Sequence, residues 1–255
     1  MQLGDFSALA KQYINRPAYN EHLLKTLLLY TGYLQKPDFK VADVGAGTGK
    51  LTKMLLEKGL NVTAVEPNDA MREEGIRFTE GFNISWLAGS GEVTGLPANN
   101  FDWLIMASSF HWTDPQKSLP EFHRTLKPGG YFTAIWNPRN IEASELHSRI
   151  EQQIYDIAPS INRVSSGSKA NTKKWEEVLI STGHFENVMF MEVDHIEVMS
   201  KERYMGAWNS VDDIQAQAGP EKWKQILAMI ENEIKDLVQV EVPHKNRDWT
   251  AQKVN

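Results

Sequence analysis

Hydrophobic residues in the first 140 positions alternate between short continuous runs and runs with helical spacing. Continuous apolar runs are typical of strands that are buried on both faces of a parallel sheet. Such runs lie at 40–44, 61–65, 84–88, 101–106 and 131–135. Between them, apolar residues recur three and four positions apart, which predicts helices over 49–58, from 68 onwards and over 115–126. Strands that alternate with helices predict a doubly wound α/β sheet.

The pattern changes after residue 140, where helical spacing dominates. Helices are predicted at 141–160, 173–181, 201–208 and 219–238, with a polar, glycine-containing loop at 164–169. Partial alternation predicts a long sixth strand over 185–199, and 240–242 with 249–251 would supply the last strand. We therefore predict an α/β fold with a doubly wound, seven-stranded, mostly parallel sheet. Its last strand is antiparallel, and helical insertions follow strands 5 and 6.

One domain of 255 residues accommodates all of these elements. The pattern of 5–36 is helical, so we predict an N-terminal helical cap at 1–36 and a ligand-binding core at 37–140. The last strands are predicted at 187–199 and 240–254. Helical lid insertions are predicted at 141–186 and 200–238, where they would cover the ligand site.

Three glycines, Gly45, Gly47 and Gly49, lie between the first strand and the next helix. Glycine permits positive φ and lets a ligand approach the backbone closely, and N–H groups at a helix start attract an electron-rich ligand atom. A phosphate-binding P-loop needs four residues between its first Gly and Gly-Lys, which this spacing excludes. The dinucleotide fingerprint needs glycine at its sixth position, where this chain has Lys50. The interpretations that remain are a G-x-G-x-G ligand loop and a purely structural turn.

The second strand ends at Glu66-Pro67, and Glu66 follows Gly45 by 21 residues. A carboxylate at a strand end about 20 residues past the glycines can accept hydrogen bonds from both hydroxyls of a ribose. Considered alone, Glu66 would be a solvated acidic residue in a turn. Its position after the glycine loop favours the ribose interpretation.

Composition narrows the classes of function. The chain is 41% hydrophobic and 24% charged, which is ordinary for a globular protein. A net charge of −6 without a basic run argues against a nucleic-acid partner. The lack of cysteine excludes disulfides, thiolate zinc sites and cysteine nucleophiles, and we predict no metal. No apolar segment reaches membrane-spanning length and the N-terminus does not resemble a signal peptide. We therefore expect a cytoplasmic monomer or homodimer without membrane contact.

A set of motifs resembles the class I S-adenosylmethionine (SAM)-dependent methyltransferases over residues 10–140. The motifs are Asp43 to Gly49, Glu66-Pro67, Leu96-Pro97 with Phe101-Asp102, Phe110-His111-Trp112 and Leu126 to Gly130. Phe-His-Trp after strand 4 and Trp-Asn after strand 5 resemble the small-molecule branch of trans-aconitate methyltransferase-like and UbiE-type proteins. The resemblance implies a Rossmann-like methyltransferase fold with SAM as cofactor. It also implies in-line methyl transfer to a carboxylate, hydroxyl or amine of a small molecule.

The resemblance, together with the strand ends, implies a set of site residues. Tyr13 and Arg16 would hold the carboxylate of the cofactor, because arginine forks onto carboxylates. Met71 would pack on adenine, and Ser90 replaces the aspartate with which the family accepts the adenine amino proton. Other cofactor contacts are expected at Asp43, Gly45, Ala46, Gly47, Gly49, Glu66, Pro67, Gly91, Glu92 and Ser108. Acceptor contacts are expected at Ser109, Trp112, Trp136, Asn137, Arg139 and Trp208, where aromatic faces would stabilise the cationic methyl donor.

His111 is the candidate general base, because its unperturbed pKa lies near neutral pH. A carboxylate or thiolate acceptor needs no base, and His111 would then only bind it. Three other classes stay open: an RNA or protein methyltransferase on the same fold, a SAM-binding regulator without catalysis, and a nicotinamide oxidoreductase.

Overall fold

The computed structural model describes residues 9–162 and 174–254. Its strands form one seven-stranded sheet in the order β3-β2-β1-β4-β5-β7-β6. The strands are β1 Lys40–Val44, β2 Asn61–Val65, β3 Ser85–Leu87, β4 Phe101–Ala107, β5 Leu126–Trp136, β6 Phe185–Met199 and β7 Val240–Lys253. The first five strands pair in parallel, and β7 runs antiparallel to both β5 and β6. This confirms the predicted doubly wound α/β fold with its antiparallel last strand.

Helices connect the strands and cover both faces of the sheet. They are α1 Ala10–Tyr13, α2 Glu21–Tyr30, α3 Lys50–Glu57, α4 Asp69–Phe78, α5 Pro115–Thr125, α6 Glu145–Ile157, α7 Trp175–Ile180, α8 Lys201–Asn209 and α9 Asp212–Glu233. Short 3-10 turns lie at Tyr33–Gln35, Phe110–Trp112 and Ile141–Ala143. The side chain of Asn68 caps α4 by accepting a hydrogen bond from the N–H of Met71, as asparagine commonly does at this position. α9 bends at Gly219, which has a positive φ of 73° and precedes Pro220.

The apolar side chains divide into three clusters of buried residues. One lies under α5 and α7 on one sheet face, and the second lies under α2 and α3 on the other face. The third joins α6, α8 and α9 to the start of β7 and contains Ile154, Trp208 and Ile230. Burial of each large apolar side chain contributes about 1.5–3 kcal/mol to folding. The third cluster therefore holds α6, α8 and α9 over the carboxyl end of the sheet.

Several predicted boundaries differ from the structure. The N-terminal helical pattern is broken between α1 and α2, where Pro17 disfavours helix before it and Asn20 caps a new helix by accepting from two backbone N–H groups. The fifth strand begins at Leu126 rather than at the predicted residue 131, and its register against β4 shifts after Phe101 pairs with Leu126. β7 is one continuous strand. The predicted loop at 164–169 and residues 1–8 lie outside the described residues.

No helix in the described ranges combines the length and apolarity that a bilayer crossing requires.

Candidate active site

A cavity of about 670 Å³ lies where β1, β2, β4 and β5 end at their carboxyl ends. Its wall includes 45–48 after β1, 66–68 after β2, 106–109 with 111–113 at and after the end of β4, and 137–139 after β5. Residues of α8 and the start of β7 complete it. Binding sites in open α/β sheets occupy this edge, and ligand cavities commonly measure about 300–1,000 Å³. The cavity is therefore the candidate active site.

The structure brings most of the predicted site residues to this cavity wall. They are Tyr13, Arg16, Gly45, Ala46, Gly47, Glu66, Pro67, Met71, Ser90, Gly91, Glu92, Ser108, Ser109, His111, Trp112, Asn137, Arg139 and Trp208. Three predicted contacts are not part of the wall: Asp43, Gly49 and Trp136.

The glycine loop is held by hydrogen bonds within the protein. Gly45 and Ala46 donate to the carbonyl of Val65 over 2.8 and 3.1 Å, and Gly49 donates to the carbonyl of Ala46 over 2.9 Å. The N–H of Gly47 donates to Glu66. A phosphate-binding loop turns such N–H groups towards its ligand, whereas here all four are already bonded. These four loop N–H groups are therefore engaged within the protein, and the expectation for the N–H groups at the start of α3 stays a prediction.

Gly45 is required by its surroundings. Its φ is 68°, and a Cβ there would lie 2.6 Å from the Oγ of Ser109, closer than any such contact in a folded protein. The Ser109 hydroxyl in turn donates to the carbonyl of Val44 over 3.2 Å. The backbone at the end of β1 is therefore packed directly against the Ser109 side chain that follows β4.

Glu66 links the end of β2 to the glycine loop. Its Oε2 accepts from the N–H of Gly47 over 2.8 Å, and its Oε1 accepts from the N–H of Asn68 over 2.9 Å. Burial raises the pKa of Glu66, while these two hydrogen bonds and the charge of Arg72 lower it. A carboxylate oxygen has two lone pairs, so each oxygen retains acceptor capacity on the cavity side. The side chain fits a vicinal diol such as that of a ribose.

Asp43 and Gly49 act on the loop from behind rather than on a ligand. Asp43 is fully buried, and its Oδ2 accepts from the Thr52 hydroxyl over 2.6 Å while its Oδ1 has no partner. Burial raises the pKa of Asp43 to about 7, and the Thr52 hydrogen bond opposes that shift. Gly49 has a φ of 77° and ends the loop at the start of α3. Neither residue is part of the cavity wall, and Asp43 on β1 points towards Thr52 of α3.

The adenine end predicted at Ser90 has a different hydrogen-bonding character from that expected. The hydroxyl oxygen of Ser90 already accepts from the N–H groups of Glu92 and Val93, over 3.2 and 3.3 Å. A hydrogen bond from the Ser90 hydroxyl also lowers the pKa of the Glu92 carboxyl, so this hydroxyl is engaged within the protein as donor and as acceptor. Gly91 leaves no space for a side chain, since a Cβ would lie 2.6 Å from Thr113. Glu92 is turned towards the N–H of Asp114, from which it accepts over 2.8 Å.

His111 lies on the cavity wall against two tryptophans. Trp136 is 1% exposed, and its indole N–H donates to the Nδ1 of His111 over 3.2 Å. The Trp112 ring lies 4.9 Å from the His111 ring and is half exposed. Burial lowers the pKa of His111 to about 4, so the ring is neutral at pH 7. The predicted acceptor contact at Trp136 is therefore wrong, because the indole stands behind His111 and away from the cavity.

Polar contacts also fix the sides of the cavity. The Arg16 guanidinium donates to the hydroxyl and to the carbonyl of Ser210, and it stacks over the Tyr13 ring at 4.1 Å. These bonds tie the N-terminal segment to the loop after α8. The Asn137 amide donates to the carbonyl of Ala18 over 2.6 Å and accepts from Asn246 over 2.5 Å. Both side chains line the cavity, but most of their hydrogen-bonding capacity is used within the protein.

Tyr19 is a cavity residue that the sequence did not single out. Its hydroxyl bonds to the hydroxyl of Ser108 over 2.9 Å, and Ser108 has a positive φ of 55°. Burial raises the pKa of Tyr19 further above its ordinary value. Tyr19 lies in the segment with Tyr13 and Arg16, and that proximity was the one available signal.

The lid side of the cavity contains a cluster of polar atoms around Arg139. Its guanidinium lies 4.0 Å from the centre of the Trp208 ring. Three buried atoms there have no hydrogen-bond partner: the Tyr204 hydroxyl, the Trp208 Nε1 and the His244 Nε2. Burial raises the pKa of Tyr204, while the charge of Arg139 and the neighbouring indole N–H of Trp208 lower it. Tyr204 and His244 were missed, since nothing local in α8 or β7 marks them.

Known proteins share parts of this sequence and this fold. Residues 42–134 match the family described as the methyltransferase domain. The uncharacterized methyltransferase Rv3342 of Mycobacterium tuberculosis is 36% identical over 55% of this chain and 54% of its own length. The malonyl-[acyl-carrier protein] O-methyltransferase 1 of Coxiella burnetii is 25% identical over 88% of this chain and 77% of its own. The structure of Haemonchus contortus phosphoethanolamine N-methyltransferase 2 with SAM has a TM-score of 0.54 at 16% identity, over 98% of this chain and 57% of that one.

The sheet order is that of the Rossmann-like methyltransferase fold. Residues 42–134 are similar to methyltransferase domains, and the 36%-identical relative is a methyltransferase by name. The matched part spans about half the length of the first curated relatives.

Proposed function

We propose that this protein transfers a methyl group from SAM to a small-molecule acceptor that carries a carboxylate. The observation that carries this proposal is the pair of donors beside Arg139, the Trp208 indole N–H and the Tyr204 hydroxyl. The third atom, the His244 Nε2, is an acceptor, because the Nδ1 of that ring donates to the carbonyl of Asn137. A tryptophan N–H can only donate, and that of Trp208 is buried without an acceptor. A buried donor without a partner costs about 1–3 kcal/mol, so an acceptor atom of a bound ligand would remove this cost.

The residues around the cluster favour a carboxylate as that ligand group. Arg139 supplies the charge, and the hydroxyl of Tyr204 is a further donor on the same wall. Two carboxylates, Glu151 and Asp213, also line the cavity, and Glu151 raises the pKa of Tyr204. An acceptor with a cationic amine would suit those two residues instead, which makes amine methylation the alternative to test.

The cofactor is proposed to lie along the opposite wall. Glu66 would bind the ribose, Met71 and Ser90 would contact adenine, and Tyr13 with Arg16 would lie over the amino-acid end. SAM supplies an activated methyl group on a sulfonium, so the protein mainly orients the two reactants and excludes water. The described lid elements α6, α8 and α9 would provide that exclusion.

A small acceptor is favoured over RNA or a folded protein by the position of the lid. α8 and β7 stand over the cavity, and Trp208 and Val242 line it from that side. The Coxiella burnetii relative is named as an O-methyltransferase of a malonyl group, which carries a carboxylic acid. That name supports an oxygen acceptor, and it makes an acid tethered to a carrier protein one outcome to distinguish.

Transfer from methyl-labelled SAM to separated fractions of a cell extract tests the proposal. We expect label in acidic small molecules. Label in RNA that nuclease releases, or in protein that protease releases, would replace the small-molecule assignment. Saturable SAM binding without transfer to any fraction would indicate a regulator rather than an enzyme.

A further inference from the structure

We propose that Trp136 is a positioning residue that fixes His111 as a hydrogen-bond donor, so that His111 orients an acceptor oxygen that has no proton to lose. This inference rests on the proposed function and deepens it. It replaces the general-base role that the sequence suggests for His111.

The donor in the Trp136–His111 hydrogen bond is unambiguous. An indole nitrogen carries one hydrogen and cannot accept. Nδ1 of His111 must therefore be the acceptor over the 3.2 Å that separates the two nitrogens. A neutral imidazole has one bare nitrogen and one N–H, so the proton of His111 is on Nε2.

Trp136 cannot turn away from this position. Its ring stacks on Trp175 with the centroids 4.6 Å apart and the planes 22° apart. Trp249 meets it edge-on with centroids 5.6 Å apart. The indole is buried between β5, α7 and β7, and packed cores tolerate few alternative side-chain positions. The donor is thus held in place before any ligand arrives.

A base role would require His111 to hold two protons. The second proton would go to Nδ1, where its N–H would face the indole N–H at 3.2 Å, and the hydrogen bond would be lost. Burial already disfavours the charged ring, lowering the His111 pKa to about 4. The tautomer with its proton on Nε2 can donate to an oxygen in the cavity that His111 lines.

A carboxylate acceptor satisfies this arrangement with a balanced reaction. One carboxylate oxygen forms the new O–CH3 bond as the S–CH3 bond breaks, and the electron pair of that bond stays on sulfur. The products are a neutral methyl ester and S-adenosylhomocysteine (SAH), and no proton is released. A hydroxyl acceptor would release a proton that His111 cannot take.

Nitrogen NMR of histidine-labelled protein tests the tautomer without any turnover. In wild type with SAH bound, we expect His111 as a single tautomer with a hydrogen on Nε2 and a bare Nδ1 near pH 7. Trp136→Phe should turn this signal into a mixture of tautomers. A wild-type His111 with its hydrogen on Nδ1, or with both nitrogens protonated, overturns the inference.

Substitutions at His111 test the donor role and do not depend on whether Trp136→Phe folds. The amide N–H of glutamine can replace an Nε2–H donor, but glutamine cannot act as a base. We expect His111→Gln to keep turnover within about 10-fold of wild type and His111→Ala to lose about 10–100-fold, since a hydrogen bond to a charged group is lost. Equal losses in both variants, with SAH affinity unchanged, would restore the base role.

The two proposals fail separately. If wild type methylates an amine, the carboxylate acceptor is wrong, whereas the NMR result on His111 stands on its own. If His111 has the wrong tautomer while acidic small molecules are still methylated, only the inference about Trp136 and His111 fails.

Discussion

Replacement of Glu66 by alanine perturbs cofactor binding and the glycine loop together, because one carboxylate serves both. Its two oxygens accept from Gly47 and Asn68 over 2.8 and 2.9 Å. A hydrogen bond to a charged group contributes about 1.5–3 kcal/mol, but the two released N–H groups can be solvated from the cavity. We therefore expect Glu66→Ala to lose about 1–3 kcal/mol of unfolding free energy.

The effect on binding follows from the ribose contact. Loss of the hydrogen bonds from the ribose diol to Glu66 should raise the SAH dissociation constant by about 10–100-fold, or about 1.4–2.8 kcal/mol. Titration calorimetry measures the affinity, and urea unfolding in the same buffer measures the stability. Glu73→Ala is the matched control, because Glu73 is exposed on α4 and should change stability by less than about 0.5 kcal/mol.

A cycle with a deoxyribose analogue of SAH separates the ribose contact from loosening of the loop. Removal of the hydroxyls should weaken binding to wild type and have little effect on binding to Glu66→Ala, which would give a coupling energy of about 0.5–3 kcal/mol. If the analogue loses the same affinity in both proteins, Glu66 does not bind the ribose. An unchanged dissociation constant for Glu66→Ala would refute the cofactor assignment at this wall altogether.

Further expectations concern the polar residues around Arg139 and the buried carboxylate of Asp43. Arg139→Gln should raise the KM for an acidic acceptor at least 10-fold, as expected from loss of a charged hydrogen bond, whereas Arg149→Gln, on the exposed side of α6 in contact with Glu233, should leave steady-state kinetics unchanged. Tyr204→Phe should leave the free energy of unfolding unchanged or raise it by up to about 1 kcal/mol, since the Tyr204 hydroxyl has no hydrogen-bond partner in the ligand-free protein. The same variant should raise the KM for the acceptor. A large loss of stability in thermal unfolding would show that the hydroxyl is bonded. The raised pKa of Asp43, about 7 against an ordinary 3.8, means that between these values the folded protein keeps a proton that the unfolded chain has lost. Stability should therefore fall as pH rises through that window, by up to about 1.4 kcal/mol per pH unit, and the gain from Asp43→Asn should grow over the same range in urea titrations; a gain independent of pH would contradict the raised pKa.

Local patterns in the sequence were sufficient for the fold and for one wall of the site. The apolar runs that became β1, β2 and β4 are continuous because both sheet faces are covered, and strand ends in such a sheet meet at one edge. The glycine loop and Glu66 come directly after the first two strands, so their positions at that edge could be predicted.

Side-chain direction and long-range packing could not be predicted in the same way. Trp136 ends a strand at the active edge, but its ring points into the core against α7, and nothing in Ile-Trp-Asn distinguishes the two directions. The side chain of Asp43 points to the face of the sheet that α3 covers. Tyr204 and His244 reach the cavity only because α8 and β7 fold back over it from distant parts of the chain.

The position of the transferred methyl group tests the central claim most directly. Wild-type protein, tritiated SAM and a mixture of acidic metabolites should yield small-molecule products whose label becomes volatile methanol on alkaline hydrolysis, as methyl esters require. Label that stays non-volatile in alkali, as in a methylated amine or an ether, would contradict the account.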